Sequence, residues 1–167
     1  MAYGDAPNDV YHNGVWYNRS GKQISGVSEL VVSTATKVMV SADTIFTAYG
    51  DVQILDLVSE CITANNATAS TLQYSITPTV GTATTISGAS ATLASAAAGT
   101  IVTLVGDALA TAPVISATGV GLSQTARGIW FPDGTLKLVI GVGSTTGTWR
   151  HYLRYAPLED GAYVLGA

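Results

Sequence analysis

Short runs with an apolar residue at every second position dominate the chain, and almost nothing in it repeats with the helical period of 3.6. Successive side chains of a strand point to opposite faces, so this period predicts sheets. A sheet with one apolar face must bury it against a second layer. Leu72, Tyr74 and Ile76 alternate with Gln73, Ser75 and Thr77 and stop at Pro78. Ile101, Thr103 and Val105 alternate with Val102 and Leu104, with glycines at both ends. Over 148–155, Trp149, His151, Leu153 and Tyr155 share one face, while Arg150, Tyr152 and Arg154 share the other. In 51–63 both faces carry apolar residues, which predicts a central strand with a bulge near Asp56.

Turn chemistry divides these runs. Pro132-Asp133-Gly134 between 129–131 and 135–142 has the residues of a tight turn, so the two flanks are expected to form a hairpin continuing into a meander with 148–155. One stretch reads otherwise: 90–98, SATLASAAA, has high helix propensity, a Ser90 N-cap and Gly99 just past its end, which predicts one short helix. The expected fold is all-β: a single antiparallel β-sandwich, jelly-roll-like, over 27–167. Residues 1–26 form an irregular N-terminal arm with one short hairpin around Asn13-Gly14. The arm carries Tyr3, Tyr11, Trp16 and Tyr17 among Gly, Asn, Asp and Pro. Disordered segments are poor in aromatics, whereas interface centres are rich in them, so these four are the expected anchors of a docking element.

Charge narrows the function. Only 11% of the 167 residues are charged against 47% hydrophobic, so much of the surface consists of Ser, Thr, Ala and Gly, which suits packing against other protein surfaces. Seven Lys and Arg give a net charge of −4, and no basic cluster supports direct nucleic-acid contact. The N-terminus lacks the basic and apolar regions of a secretory signal and no apolar run reaches membrane-spanning length, so a soluble protein made in a cytoplasm is expected. Cys61, the single cysteine, lies in an apolar run and is expected to be a buried thiol.

No catalytic, cofactor or metal site is expected. His12 and His151 are the only histidines, one in the arm and one in a strand. A metal site would need the arm to fold onto that strand and a carboxylate to join it. Serines are plentiful, but Gly-x-Ser-x-Gly is absent. Asp56 and Glu60, read as sharing a strand face, would stand about 13 Å apart, too far for a glycosidase pair. The glycines lack the Lys-Ser or Lys-Thr of a phosphate loop.

Several segments together resemble a known class. They are Thr44-Ile45-Phe46-Thr47 leading into 52–58; Leu72-Gln73-Tyr74 with Pro78-Thr79; Gly99 to Gly106; and Gly134-Thr135-Leu136-Lys137-Leu138. The closing segment is Leu153-Arg154-Tyr155-Ala156-Pro157-Leu158-Glu159-Asp160-Gly161-Ala162. The combination is similar to small virion structural proteins of tailed bacteriophages over about residues 40–165, with Tyr-x-Pro-Leu-x-x-Gly-Ala its most specific part. The resemblance implies a non-catalytic component of the virion, assembled in the bacterial cytoplasm. It would be a capsid decoration or cement protein that binds the major capsid protein lattice and itself, usually as a homotrimer. The alternative is a tail or baseplate component with a receptor- or glycan-binding role, for which Trp130, Trp149, Tyr152 and Arg150 could line a groove.

Overall fold

The computed structural model of the protein describes residues 10–12, 15–17, 30–105, 109–116, 128–142 and 146–167. Its strands, in chain order, are β1 (Val10–His12), β2 (Val15–Tyr17), β3 (Leu30–Ser33), β4 (Lys37–Val38), β5 (Thr44–Tyr49), β6 (Val52–Cys61) and β7 (Thr71–Pro78). They continue with β8 (Thr84–Thr85), β9 (Ile101–Thr103), β10 (Val114–Ser116), β11 (Ile129–Phe131), β12 (Gly134–Gly141), β13 (Thr148–Pro157) and β14 (Tyr163–Gly166).

Two antiparallel sheets form the sandwich. One has the order β10-β9-β6-β13-β3, with β11 also pairing β6 and β4 pairing β13; the other runs β14-β5-β12-β7-β8. Strands β5, β6, β7, β9, β12, β13 and β14 lie alternately in the two sheets, so the connections repeatedly cross the core. That alternation establishes the sandwich and does not by itself make it a jelly roll. The layers meet over Trp149, Tyr74, Tyr155, Phe46, Phe131, Ile54, Leu57, Leu136 and Leu138, each no more than 2% exposed.

The alternating runs fold as their patterns require. In β13 every second residue is buried, from Trp149 through His151, Leu153 and Tyr155 to Pro157. In β7, Leu72, Tyr74 and Ile76 are buried. The predicted bulge is present: Arg154 pairs Asp56 and Tyr155 pairs Ile54, leaving Leu55 as the extra residue of β6. The slip reverses the phase of the strand: Val52 and Ile54 face inward before it and Leu57, Ser59 and Cys61 after it, while Asp56, opposite the outward Arg154, is covered on the outer face.

Two sequence expectations fail. Segments 129–131 and 135–142 do not form a hairpin or a meander with 148–155: β11 pairs β6 in one sheet, while β12 pairs β5 and β7 in the other. Pro132-Asp133 is a crossover, and Gly134 opens β12 between Ala48 and Pro78. There a Cβ would collide with the Thr77 carbonyl oxygen and lie 2.7 Å from Pro78 Cα, at φ +153°. Glycine is needed for close backbone approach rather than for a hairpin corner.

The helix over 90–98 is also absent; the segment is a run of turns and irregular chain. Nine residues with one buried apolar side chain, Leu93, offer no stripe to pack, and short helices are marginal without one. Neighbouring loops take its backbone groups instead: Leu93 N–H donates to Ser70 O at 2.7 Å, and Ser95 N–H donates to Asn66 O at 2.6 Å. Ser95 itself sits at φ +54°. Ser90 caps nothing helical, since its hydroxyl accepts from Leu72 N–H at 2.9 Å.

Candidate functional site: the aromatic arm and the surfaces of the sandwich

Within the arm, the strands flanking Asn13-Gly14 form the expected hairpin. β1 and β2 pair antiparallel, with Val10 opposite Tyr17, Tyr11 opposite Trp16 and His12 opposite Val15. A two-residue connection between strands is where Asn-Gly is favoured. This ribbon is a sheet of its own, and among the described residues it shares no ladder with the sandwich. Three of the four expected anchors, Tyr11, Trp16 and Tyr17, therefore lie on one short ribbon, with Tyr11 and Trp16 directly opposite each other. Tyr3 lies outside the described residues, as do the side chains of the other three.

The sandwich exposes apolar side chains of its own. Tyr49 and Tyr163, paired across β5 and β14, stack with ring centroids 4.8 Å apart and 16° between planes. Leu165, two residues along β14, is exposed beside them, and Val31, Val142 and Trp130 are exposed elsewhere.

The groove considered for glycans is not assembled. Trp149 is fully buried, and its indole N–H donates to Asn65 Oδ1 at 3.1 Å. Trp130 is 62% exposed but pairs with Gln53, whereas Tyr152 pairs with Val58 and Arg150 with Glu60. Five residues of extended strand, roughly 16 Å, separate Gln53 from Val58. Arg150 Nη2 donates to Thr36 Oγ1 at 3.0 Å and Tyr152 Oη donates to Glu60 Oε2 at 2.9 Å, so both outward groups already have partners.

The register keeps the two carboxylates on one face, as their spacing implies: Asp56 lies opposite Arg154 and Glu60 opposite Arg150, all on the outer face of the sheet. Four positions of extended strand, about 13 Å, separate them, which is too far for a glycosidase pair.

His151 is fully buried in β13. Its Nδ1 lies 2.6 Å from Ser59 Oγ, and Ser59 Oγ lies 2.7 Å from Tyr74 Oη. A serine and a histidine thus do meet, which spacing alone could not reveal. The third member is a phenol rather than a carboxylate, and the whole chain is sealed from solvent. Burial, with a smaller contribution from the Lys37 charge, lowers the His151 pKa to about 3, and burial raises that of Tyr74 above the ordinary phenol value. The chain joins one sheet (Ser59, His151) to the other (Tyr74) through the core. Cys61 is buried as expected, and its Sγ donates to Thr63 O at 3.1 Å.

Sequence reading missed Asn65. It lies in the loop after β6; its Oδ1 accepts from Gly147 N–H at 3.0 Å and from the Trp149 indole, and its Nδ2 donates to Leu93 O at 3.1 Å. Its backbone N–H donates to Ala96 O at 2.9 Å. Three loops meet on one side chain, and Gly147 must be glycine because a Cβ would collide with Asn65 Oδ1 and Thr63 O. Asn65→Ala would strand a buried indole N–H and a backbone N–H, each costing about 1–3 kcal/mol, while the Leu93 carbonyl keeps the Ala96 N–H, so a loss of about 2 kcal/mol or more is expected in urea unfolding. A loss under about 1 kcal/mol would show that the clamp holds nothing.

Among the described residues no group of three or more His, Cys, Asp or Glu could hold a metal ion, and no helix is long and apolar enough to cross a membrane. Comparison with known protein families, curated proteins and solved structures gives no match for the chain.

Proposed function

We propose that the protein is a non-enzymatic bacteriophage virion component, a capsid decoration or cement protein that binds the outer surface of the head lattice through its N-terminal arm. The observation that carries this reading is the separate aromatic ribbon. Tyr11, Trp16 and Tyr17 stand on a two-stranded sheet with no ladder to the sandwich among the described residues, and isolated hairpins are marginal in water. A surface on which they are buried would complete the structure. The low charge of the chain, the exposed Tyr49, Tyr163 and Leu165, and the resemblance of 40–165 to small virion proteins support the same reading. Self-association as a trimer is part of the proposal on the grounds of that resemblance.

A cement protein acts by mass action, since contacts made only with the assembled shell favour that shell over its dissociated parts. Heads prepared without the protein and titrated with it should release their genome at a higher temperature, saturating as the lattice sites fill. Heads whose release temperature is unchanged at saturating protein would defeat the proposal.

A further inference from the structure

The buried chain of Tyr74, Ser59 and His151 has one open end. His151 Nε2 is buried and has no hydrogen-bond partner among the described residues. The backbone around it is fully engaged: Thr34 Oγ1 accepts from His151 N–H at 2.9 Å, and Thr34 N–H donates to His151 O at 2.9 Å. The ring is therefore fixed in place, with Nδ1 committed to Ser59 and Nε2 facing the interior. A neutral imidazole leaves a single nitrogen unsatisfied there. A protonated one becomes a donor at both nitrogens and places a net charge between the sheets.

We propose that this chain is an acid-sensitive latch between the two sheets: the sandwich stays closed while the imidazole is neutral and opens when it takes up a proton. Among the described residues, the influences on the ring, burial and the Lys37 charge, both oppose the cation. From β4, Lys37 adds like charge. From β7 comes the Tyr74 phenol, neutral and bonded to Ser59. From β6, Leu57 and Cys61 flank Ser59 on the inner face, while Asp56, opposite Arg154, and Glu60, opposite Arg150 and bonded to Tyr152, lie on the outer face. On β13 itself, Arg150, Tyr152 and Arg154 lie on the outer face and Tyr155 on the inner one, bonded to the Val164 N–H at 3.2 Å. Core residues from β5 and β12 are Ile45, Phe46, Ala48, Leu136 and Leu138. Among the described residues no carboxylate hydrogen-bonds the ring.

The direction follows from linkage. The folded imidazole titrates near 3 and an unfolded one near 6.5, so between those values the unfolded chain holds more protons. Stability is complete above about pH 6.5 and falls as pH drops toward 3. From pH 7.5 to 5.5 the unfolding equilibrium constant should rise about tenfold from this group alone. The test measures urea unfolding across that range on a His12→Gln background, with and without His151→Gln. The parent should show the tenfold rise, and His151→Gln should remove most of it, while carboxylates acting below about pH 5 affect both equally. Equal pH dependence in the two proteins would overturn the latch. Should His151→Gln fail to fold, NMR of the His151 ring in the folded parent decides. A ring neutral down to pH 5 supports the proposal, and one titrating between 6 and 7 with the fold intact overturns it.

Discussion

Trp149→Ala should lower the unfolding free energy by about 4 kcal/mol, enough to leave a domain of ordinary stability close to its unfolding threshold. Two losses add. Among the described residues the indole is the largest fully buried side chain, set in β13 between β6 and β4, and truncating it opens a cavity that a rigid sandwich can only partly close. Its N–H is also one of the two donors that hold Asn65 Oδ1, so the loop clamp loosens with it. Trp149→Phe separates the terms, because it retains most of the volume and removes the hydrogen bond, at a cost of about 1–2 kcal/mol. Trp130→Ala is the control. That side chain is 62% exposed on β11, and its loss should shift stability by no more than about 0.5 kcal/mol. Similar losses for the two tryptophans would mean that the assignment of inner and outer faces is wrong.

That assignment was legible in the sequence because period two fixes which residues share a face, and one slip reverses them all. The buried stripe of β13, the alternation of β7 and the bulge beside Asp56 follow from local pattern. What pattern could not reveal is which strands are neighbours. Pro132-Asp133-Gly134 has identical local chemistry whether it turns a hairpin or carries the chain between sheets. The crossover is settled by long-range pairing of β11 with β6 and of β12 with β7. The helix propensity of 90–98 likewise yielded to tertiary demand, since Asn66 and Ser70 claim its backbone. Asn65 gave no signal at all, because a lone asparagine in a loop looks like a turn residue until its partners, 28 to 84 positions away, are known. Of the candidate site, the Asn13-Gly14 hairpin was legible, and the meeting of Ser59 with His151 across 92 positions was not.

Deleting residues 1–20 should leave the sandwich folded, with its melting temperature within a few degrees of the full chain, and abolish assembly. Among the described residues, the arm strands β1 and β2 supply no rung to either large sheet, so their removal unpairs nothing there. The same aromatics are the side chains that most often dominate binding energy, because they bury large area at small entropic cost. Replacing Trp16 and Tyr17 together by Ala should cost at least about 3 kcal/mol of binding, more than a hundredfold in affinity, with little effect on folding. A truncated chain that unfolds on its own, alongside an intact chain that still assembles after both substitutions, would place the arm in the core and move the anchors to the sandwich loops.

If the protein is the virion component proposed above, co-sedimentation with purified heads of the phage it would belong to tests the proposal most directly. Full-length protein should pellet with heads to a fixed ratio of copies per capsid subunit, and protein lacking residues 1–20 should stay in the supernatant while retaining its β-sheet circular dichroism. Full-length protein that remains a monomer in the supernatant at every head concentration would contradict it.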